Sequence, residues 1–175
     1  RRQRQMCIRD RYLEAAKFVC APPLRKAEDR EALWAALRDG EIQTVATDHC
    51  SFTLDQKLAG KDDFTRIPGG LPGVEDRGTL LWSAGVAAGR ISEADMCRVL
   101  CENPARLYGC WPRKGVIAPG SDADIVVLDP AAESVLTAAD HVQNVDYTPY
   151  EGTPLCGGIA QVYLCLLYTS PSPRD

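Results

Sequence analysis

The sequence is poor in histidine, has no long apolar run and has no closely paired cysteines, and each absence excludes a class of protein. Two histidines among 175 residues are too few for a Cys/His zinc cluster of the usual spacing. No apolar run approaches the roughly 18 residues that span a bilayer, and no apolar segment follows the arginine-rich start to act as an export signal. We therefore expect a cytoplasmic protein with no membrane partner.

Basic charge is not in excess either. The chain has 20 basic and 24 acidic side chains, which give a formal net charge of −4. Proteins that bind nucleic acid usually present a basic surface. The composition therefore argues against a nucleic-acid partner and favours a small molecule or another protein.

Cysteine is abundant, but its spacing does not indicate a disulfide framework. The eight cysteines lie at positions 7, 20, 50, 97, 101, 110, 156 and 165. No two of them form a Cys-x-x-Cys pair, and Cys97 and Cys101 are one helical turn apart, which is not the spacing of a zinc ribbon. We predict reduced, buried thiols, as is usual in cytosolic proteins.

The bulk of the chain has the composition of a folded protein, with 45% hydrophobic and 25% charged residues. The two ends differ from it. Residues 1–11 contain five arginines, and residues 168–175 form a polar tail rich in serine and proline; both strings resemble translated adapter read-through at the edge of a sequence assembly. We therefore expect residues 1–11 and 165–175 to be non-native and assign the fold from residues 12–164.

Helical spacing of apolar residues, together with capping residues, predicts four helices. They are expected at residues 29–38, from 75 to about 88, after Ser92, and from Asn103, where Asn103 would be the N-cap. Gly40 is placed to adopt the left-handed conformation that ends the first of them.

Strands are predicted from β-branched, apolar stretches. They are expected at Ile42–Thr47, in the stretch that ends at Leu128, at Ser134–Leu136 and at Ile159–Leu164. Residues 50–74 have little periodicity and many glycines and prolines. A connection of that length is usually functional or disordered.

A carboxylate and a histidine, Asp48 and His49, follow the strand predicted at Ile42–Thr47. Active sites of α/β barrels gather at the carboxyl ends of the strands, so Asp48 is a candidate catalytic residue. The tetrapeptide alone leaves a turn or helix-capping role open. Both His49 and His141 are interpreted as hydrogen-bonded structural residues.

Six motifs follow one another in the middle of the chain. They are Thr47–Phe52, Gly60–Phe64, Ile67–Arg77, Asn103–Gly109, Pro112–Val126 and Asn144–Gly152. In order and spacing they resemble the dihydropyrimidinase and hydantoinase branch of the amidohydrolase superfamily. The stretch at 114–124 is shared across many amidohydrolases, whereas Cys50-Ser51-Phe52 and the Tyr147 to Gly152 pattern are more similar to this branch than to dihydroorotases or allantoinases.

The resemblance implies an α/β fold. Residues 12–110 would form the C-terminal part of a TIM (β/α)8-type metal-dependent hydrolase barrel, and residues 111–164 would form part of a small β-sandwich domain. Such enzymes are commonly homotetramers. This chain would correspond to the C-terminal third of one subunit. Without the other barrel strands, apolar faces and unpaired backbone would be exposed, so we expect the isolated fragment to be poorly soluble.

The resemblance also implies a cyclic-amide hydrolase that opens dihydropyrimidines or 5-substituted hydantoins. Family members use two divalent metal ions, usually zinc, bridged by a carboxylated lysine and a hydroxide, with four histidines and one aspartate as the other ligands. Asp48 matches that aspartate, which assigns it as metal ligand and general base. The Pro68-Gly69-Gly70 loop matches the segment that holds the cyclic diamide. Gly69, where many relatives carry asparagine, could contact it only through its backbone.

The remaining metal ligands would lie upstream. His49 and His141 cannot supply four histidines, and we predict that this chain alone binds no metal pair and is inactive. The sequence leaves two alternatives open for the whole protein. One is a non-catalytic scaffold similar to the collapsin-response mediator proteins, and the other is a different cyclic amidohydrolase such as an allantoinase.

Overall fold

The computed structural model describes residues 15–164, which divide into two compact units. The first unit contains residues 15–30, 47–78 and 135–154, and the second contains residues 31–46, 79–134 and 155–164. Asp48 and Gly69 both lie in the first unit. Residues 1–11 and 165–175, which we expect to be non-native, lie outside the described residues.

Five α-helical segments and two strands lie wholly within residues 15–164. The helices are α1 (Ala27–Arg38), α2 (Leu54–Leu58), α3 (Arg77–Leu81), α4 (Glu93–Cys97) and α5 (Asn103–Leu107), and the strands are β1 (Ile125–Val135) and β2 (Pro154–Tyr163). Two π-helical stretches, Trp82–Ala87 and Arg98–Glu102, extend α3 and join α4 to α5. Short 3-10 turns lie at Phe64–Arg66 and Ala138–Asp140. None of the helices in this part of the chain is both long and apolar enough to cross a bilayer.

Helix boundaries agree with the prediction where local chemistry defines them. α1 is followed by Gly40, whose φ of 77° is a conformation that glycine adopts without steric cost. α4 begins after Ser92, whose hydroxyl accepts a hydrogen bond from Asp95 N at 3.1 Å, while the Asp95 carboxylate accepts one from Ser92 N at 2.9 Å. This reciprocal capping box is the one that the sequence predicts.

Asn103 is not an N-cap, and that prediction is wrong. Glu102, directly before it, already has a helical φ of −65°, so the chain lacks the extended residue that an N-cap requires. The Asn103 amide instead donates to the Gln43 backbone oxygen at 2.8 Å and to Gln43 Oε1 at 3.1 Å. Its role is to hold the segment around Gln43 against α5.

The strand predicted at Ile42–Thr47 is not formed. Residues 41–53 have no regular secondary structure. Val45 N donates to Val99 O at 3.2 Å, but no described segment pairs with residues 42–47 as a strand. A parallel strand exists only through hydrogen bonds to a neighbouring strand, so an apolar, β-branched sequence is not sufficient by itself.

The second unit is built around an apolar core. The buried members of the core are Leu37, Leu81, Ile91 and Val99. Around them pack the partly buried side chains of Trp34, Ile42, Val45, Val86, Met96 and Leu100. Ile42 and Val45 therefore contribute apolar burial, the main source of stabilisation in a folded chain, although their segment is not a strand.

Strands β1 and β2 pair in a two-stranded sheet. β1 runs from Ile125 through Val135, so the strands predicted to end at Leu128 and to begin at Ser134 are parts of one longer strand. β2 contains nearly all of the strand predicted at Ile159–Leu164 and begins earlier. The exposed apolar side chains of these strands include Val126, Val127, Ile159 and Val162. Such exposure follows because two strands cannot cover their own faces.

None of the six described cysteines forms a disulfide, in agreement with the prediction of reduced cysteine. Their predicted burial is wrong in most cases, because Cys50, Cys97, Cys101 and Cys156 are exposed. Most of the described cysteines therefore do not add to a buried apolar core.

Candidate active site

Asp48 is an exposed carboxylate with an unusual backbone. Its φ is 45°, and it is the only described non-glycine residue with a positive φ. Aspartate and asparagine adopt this left-handed region more readily than other side chains, but it still costs free energy, and such residues cluster at functional sites. The backbone turns sharply at Asp48, directly after the half-buried Thr47.

His49 has a structural role, as the sequence predicts. Its Nδ1 accepts hydrogen bonds from the backbone N–H groups of Gly73, at 3.2 Å, and Val74, at 3.3 Å. A ring nitrogen that accepts these bonds uses the lone pair that a metal would need. His49 therefore anchors the segment that follows the Pro68-Gly69-Gly70 loop.

Gly70 brings this loop into close contact with the segment after Asp48. Cys50 N donates to Leu71 O at 3.1 Å. A Cβ placed on Gly70 would lie 2.4 Å from Cys50 O and 2.9 Å from Cys50 Cβ, distances that no side chain can occupy without moving the backbone. Only glycine allows this approach, so the Pro68-Gly69-Gly70 loop lies directly against the backbone at Cys50.

Gly69, in the middle of this loop, is exposed. No described residue forms a hydrogen bond with its N–H or its C=O. A Cβ at this position would lie 3.8 Å from Ala21 N and 3.9 Å from Ala21 Cβ, which is ordinary van der Waals contact. The position thus has room for a Cβ, and in this chain the Gly69 backbone offers one donor and one acceptor.

Lys57 is a site residue that the sequence analysis missed. Its exposure is 0%, and its Nζ donates to Val19 O at 2.9 Å, Pro68 O at 2.7 Å and Gly70 O at 2.9 Å. Burial lowers the pKa of Lys57 below its usual value, and the nearby thiols of Cys20 and Cys50 partly oppose that shift. The buried Lys57 ammonium group therefore holds the Pro68-Gly69-Gly70 loop in place through two of its carbonyls.

Helix α2 carries Lys57 and was also missed. Thr53 Oγ1 accepts from Gln56 N at 3.3 Å, and Gln56 Oε1 accepts from Thr53 N at 2.8 Å. This is a capping box, so the Thr-x-x-Gln spacing at 53–56 was the signal that could have predicted the helix. Asp146 Oδ1 also accepts from Leu54 N at 2.9 Å, which fixes the start of α2.

A buried acid and histidine lie elsewhere in the first unit. His141 Nε2 is 2.7 Å from Asp76 Oδ1, and their side chains are only 6% and 5% exposed. Thr148 Oγ1 donates to Asp76 at 3.4 Å, and Gln143 Nε2 lies 2.8 Å from His141 Nδ1. His141 is therefore structural, as predicted.

Glu75, the neighbour of Asp76, holds the same segment through its backbone. Its carboxylate accepts hydrogen bonds from Val142 N and Gln143 N at 3.0 to 3.1 Å. Glu75 and Asp76 directly precede α3, and both carboxylates have partners in residues 141–148.

Tyr147 provides a pH-dependent test of this region. It is 3% exposed, and burial, with a smaller effect of Asp146, raises its pKa to about 12. Between pH 10 and 12 the unfolded chain ionises first, so the stability contributed by Tyr147 is complete below pH 10 and falls as pH rises. In the full-length protein, Tyr147→Phe should therefore raise the free energy of unfolding at pH 11 by about 1.4 kcal/mol relative to wild type.

Urea denaturation at pH 7 and pH 11 measures this difference. No described residue forms a hydrogen bond with Tyr147 Oη, so the substitution should cost nothing at pH 7. Tyr108→Phe, at a tyrosine that is 78% exposed, is the matched control. An equal response of the two variants at pH 11 would contradict the expectation.

The described residues do not hold a metal pair by themselves. Within residues 15–164 there is no group of three or more histidine, cysteine, aspartate or glutamate side chains arranged to bind a metal ion. Asp48 supplies one exposed carboxylate, a ligand type that divalent metals accept. A binuclear centre would need its other ligands from outside this part of the chain.

Comparison with known proteins gives the class of protein to which this site belongs. Residues 6–158 match the amidohydrolase family, and the chain belongs to that family. Within it, the resemblance to the D-hydantoinase and dihydropyrimidinase branch is confirmed. The D-hydantoinase of Streptomyces coelicolor is 50% identical over 150 residues, which cover 85% of this chain and 32% of that protein.

Solved structures agree in both fold and coverage. The D-hydantoinase of Bacillus sp. AR9 matches with a TM-score of 0.83 at 47% identity, and the dihydropyrimidinase of Brevibacillus agri with a TM-score of 0.83 at 45% identity. Each match covers 85% of this chain and 33% or 32% of the other chain. The chain therefore spans about a third of the length of the relatives it matches and folds as the corresponding part of the hydantoinase structure.

Proposed function

We propose that this chain is the C-terminal part of a cyclic-amide hydrolase that opens dihydropyrimidines or 5-substituted hydantoins. The observation that carries the proposal is the 50% identity to a D-hydantoinase over 150 residues. The geometry around Asp48 supports it, because an exposed carboxylate in a costly backbone conformation lies beside a loop with free backbone donors and acceptors.

Asp48 is the proposed general base and one metal ligand. Its carboxylate takes a proton from the attacking water as the water oxygen bonds to the ring carbonyl carbon. The same proton then passes to the ring nitrogen as the C–N bond breaks, which leaves one ring-opened product that carries both a carboxylic acid and a ureido group. In the parent enzyme two divalent metal ions, zinc by resemblance, bridged by a carboxylated lysine, would supply Lewis-acid activation.

Gly69 is the proposed contact for the cyclic diamide. Such a ring presents N–H and C=O groups side by side, and the Gly69 backbone presents the complementary acceptor and donor. The backbone groups of the neighbouring residues already have partners. Pro68 O and Gly70 O accept hydrogen bonds from Lys57, and Gly70 N donates to Val19 O at 3.1 Å. Gly69 is thus the member of the loop whose backbone is free for a ligand.

The proposed setting is a TIM-type barrel followed by part of a β-sandwich, with the boundary at residues 110 and 111. In the full-length protein, a preceding barrel strand would pair with Ile42–Thr47, which finds no strand partner within the described chain. The parent is proposed to be a cytoplasmic homotetramer. Residues 1–11 and 165–175 are proposed to be non-native.

The first test compares this chain with its full-length parent. The full-length protein should open dihydrouracil or hydantoin, whereas the purified chain should be at least about a thousandfold slower, because it lacks the other proposed metal ligands and so the Lewis-acid activation. Chromatographic detection of the ring-opened product measures both. Allantoin serves as the third substrate, and preferential turnover of allantoin would indicate an allantoinase.

Two results would contradict the proposal. Substantial turnover by the isolated chain would show that its own residues suffice. A folded full-length protein that opens none of the three rings would favour the scaffold, and its upstream sequence should then lack the histidine ligands and the bridging lysine.

A further inference from the structure

Lys57 is a buried charge that the proposed reaction does not use. A lysine ammonium has three N–H donors and no acceptor, and the three backbone carbonyls around Lys57 Nζ, at 2.7 to 2.9 Å, match that number. The ring of Phe52 adds a cation–π contact, with its centroid 5.5 Å from Nζ. The ammonium group is therefore well paired despite its burial.

Two of the carbonyl partners of Lys57 lie on either side of Gly69. Pro68 O and Gly70 O flank that residue directly, and the third carbonyl belongs to Val19. Gly70 N also donates to Val19 O, so Lys57 links the loop to the segment around Val19. The loop is fixed at both neighbours of Gly69, while the Gly69 N–H and C=O stay free.

A charged side chain is a costly way to fill this space. Burying an ammonium group is unfavourable unless it is fully paired, and methionine would fill a similar volume without that cost. What methionine cannot do is orient three carbonyl oxygens. The presence of lysine therefore indicates that the direction of these carbonyls matters.

We propose that Lys57 is a positioning residue for substrate binding, which fixes the Pro68 and Gly70 carbonyls and so sets the geometry of the Gly69 backbone. This inference rests on the proposed function. Because Lys57 acts through Gly69 and away from the bond that breaks, its loss should weaken binding of substrate and transition state alike. Such a change raises KM and leaves kcat nearly unaltered.

The experiment uses the full-length protein with Lys57→Met. We expect KM for dihydrouracil or hydantoin to rise at least about tenfold, with kcat within about twofold of wild type. Lys61→Met is the matched control, since Lys61 lies in the same segment but is exposed, and its kinetics should stay at wild-type values. A fall in kcat alone, or an unchanged KM, would overturn the proposal.

Hydrogen exchange reads the loop without relying on activity. Peptides covering residues 67–74 should exchange at least about tenfold faster in Lys57→Met than in wild type or Lys61→Met, while α4 and α5 should be unchanged. Unchanged exchange in the loop would overturn the proposal. If wild type shows the protected loop but opens none of the three rings, the proposed function fails and the role in substrate binding fails with it.

Lys57→Arg covers the case in which Lys57→Met does not fold. Arginine keeps the charge, but its planar fork does not match three converging carbonyls, so KM should rise about threefold with kcat retained. A wild-type KM in Lys57→Arg, together with wild-type exchange of residues 67–74, would count against the role assigned to Lys57.

Discussion

Asp48→Asn should reduce kcat of the full-length enzyme by about a thousandfold or more, the largest effect expected of any single substitution in this chain. The amide cannot take the proton from the attacking water, and it is a poorer ligand for a divalent metal. Asparagine is close in size to aspartate and also tolerates the left-handed backbone at φ 45°. The loss can therefore be assigned to the carboxylate and not to a change of fold.

Steady-state kinetics with dihydrouracil and hydantoin measure this effect. Asp62→Asn is the matched control, because Asp62 is an exposed carboxylate in the segment between α2 and the loop; it should keep wild-type kinetics. Circular dichroism should be the same for both variants. If Asp48→Asn retained more than about a tenth of wild-type kcat, its assignment as general base would be wrong.

His141→Leu should lower the free energy of unfolding by about 3 kcal/mol, because it removes the ring N–H that pairs with the buried Asp76 carboxylate. The two groups are 2.7 Å apart, and both side chains are nearly inaccessible. Water cannot replace the lost partner at such a position. Chemical denaturation of the full-length protein, followed by circular dichroism, gives the difference directly.

The double variant Asp76→Leu/His141→Leu separates the pair from its surroundings. With both polar groups gone there is no buried carboxylate to leave poorly paired, so at least about half of the lost stability should return. A double variant less stable than His141→Leu would indicate that Asp76 has partners more important than the histidine. A loss below about 1 kcal/mol in the single variant would mean that solvent reaches the carboxylate.

Features that depend on neighbouring residues in the sequence could be predicted. The capping box of Ser92 and Asp95 and the left-handed Gly40 are determined within three or four residues, and both are present in the structure. Asp48 was singled out by its position after an apolar stretch and by a family resemblance that the comparisons support. Its backbone conformation could not be predicted, because a positive φ at aspartate depends on the path that the chain takes through the folded protein.

Features that depend on distant partners could not be predicted. Nothing in the sequence distinguishes Lys57 from the exposed Lys61, since burial of Lys57 requires carbonyls from Val19 and from the Pro68-Gly69-Gly70 loop. The prediction of a strand at Ile42–Thr47 is wrong for the same reason. A strand needs a neighbouring strand, and the described chain does not provide one. The neighbouring residues predict Asn103 as an N-cap, but Glu102 before it is already helical, so Asn103 does not begin the helix.

The backbone at Asp48 also limits which residues can stand there. Among side chains, those of asparagine, aspartate and histidine enter the left-handed region more readily than the others, and glycine enters it freely. Glutamate, the other natural carboxylate, would carry a larger conformational penalty as well as an extra methylene. Of the two natural carboxylates, aspartate is thus the one that suits this backbone, and a designer who wished to place glutamate at this position would first have to rebuild the turn.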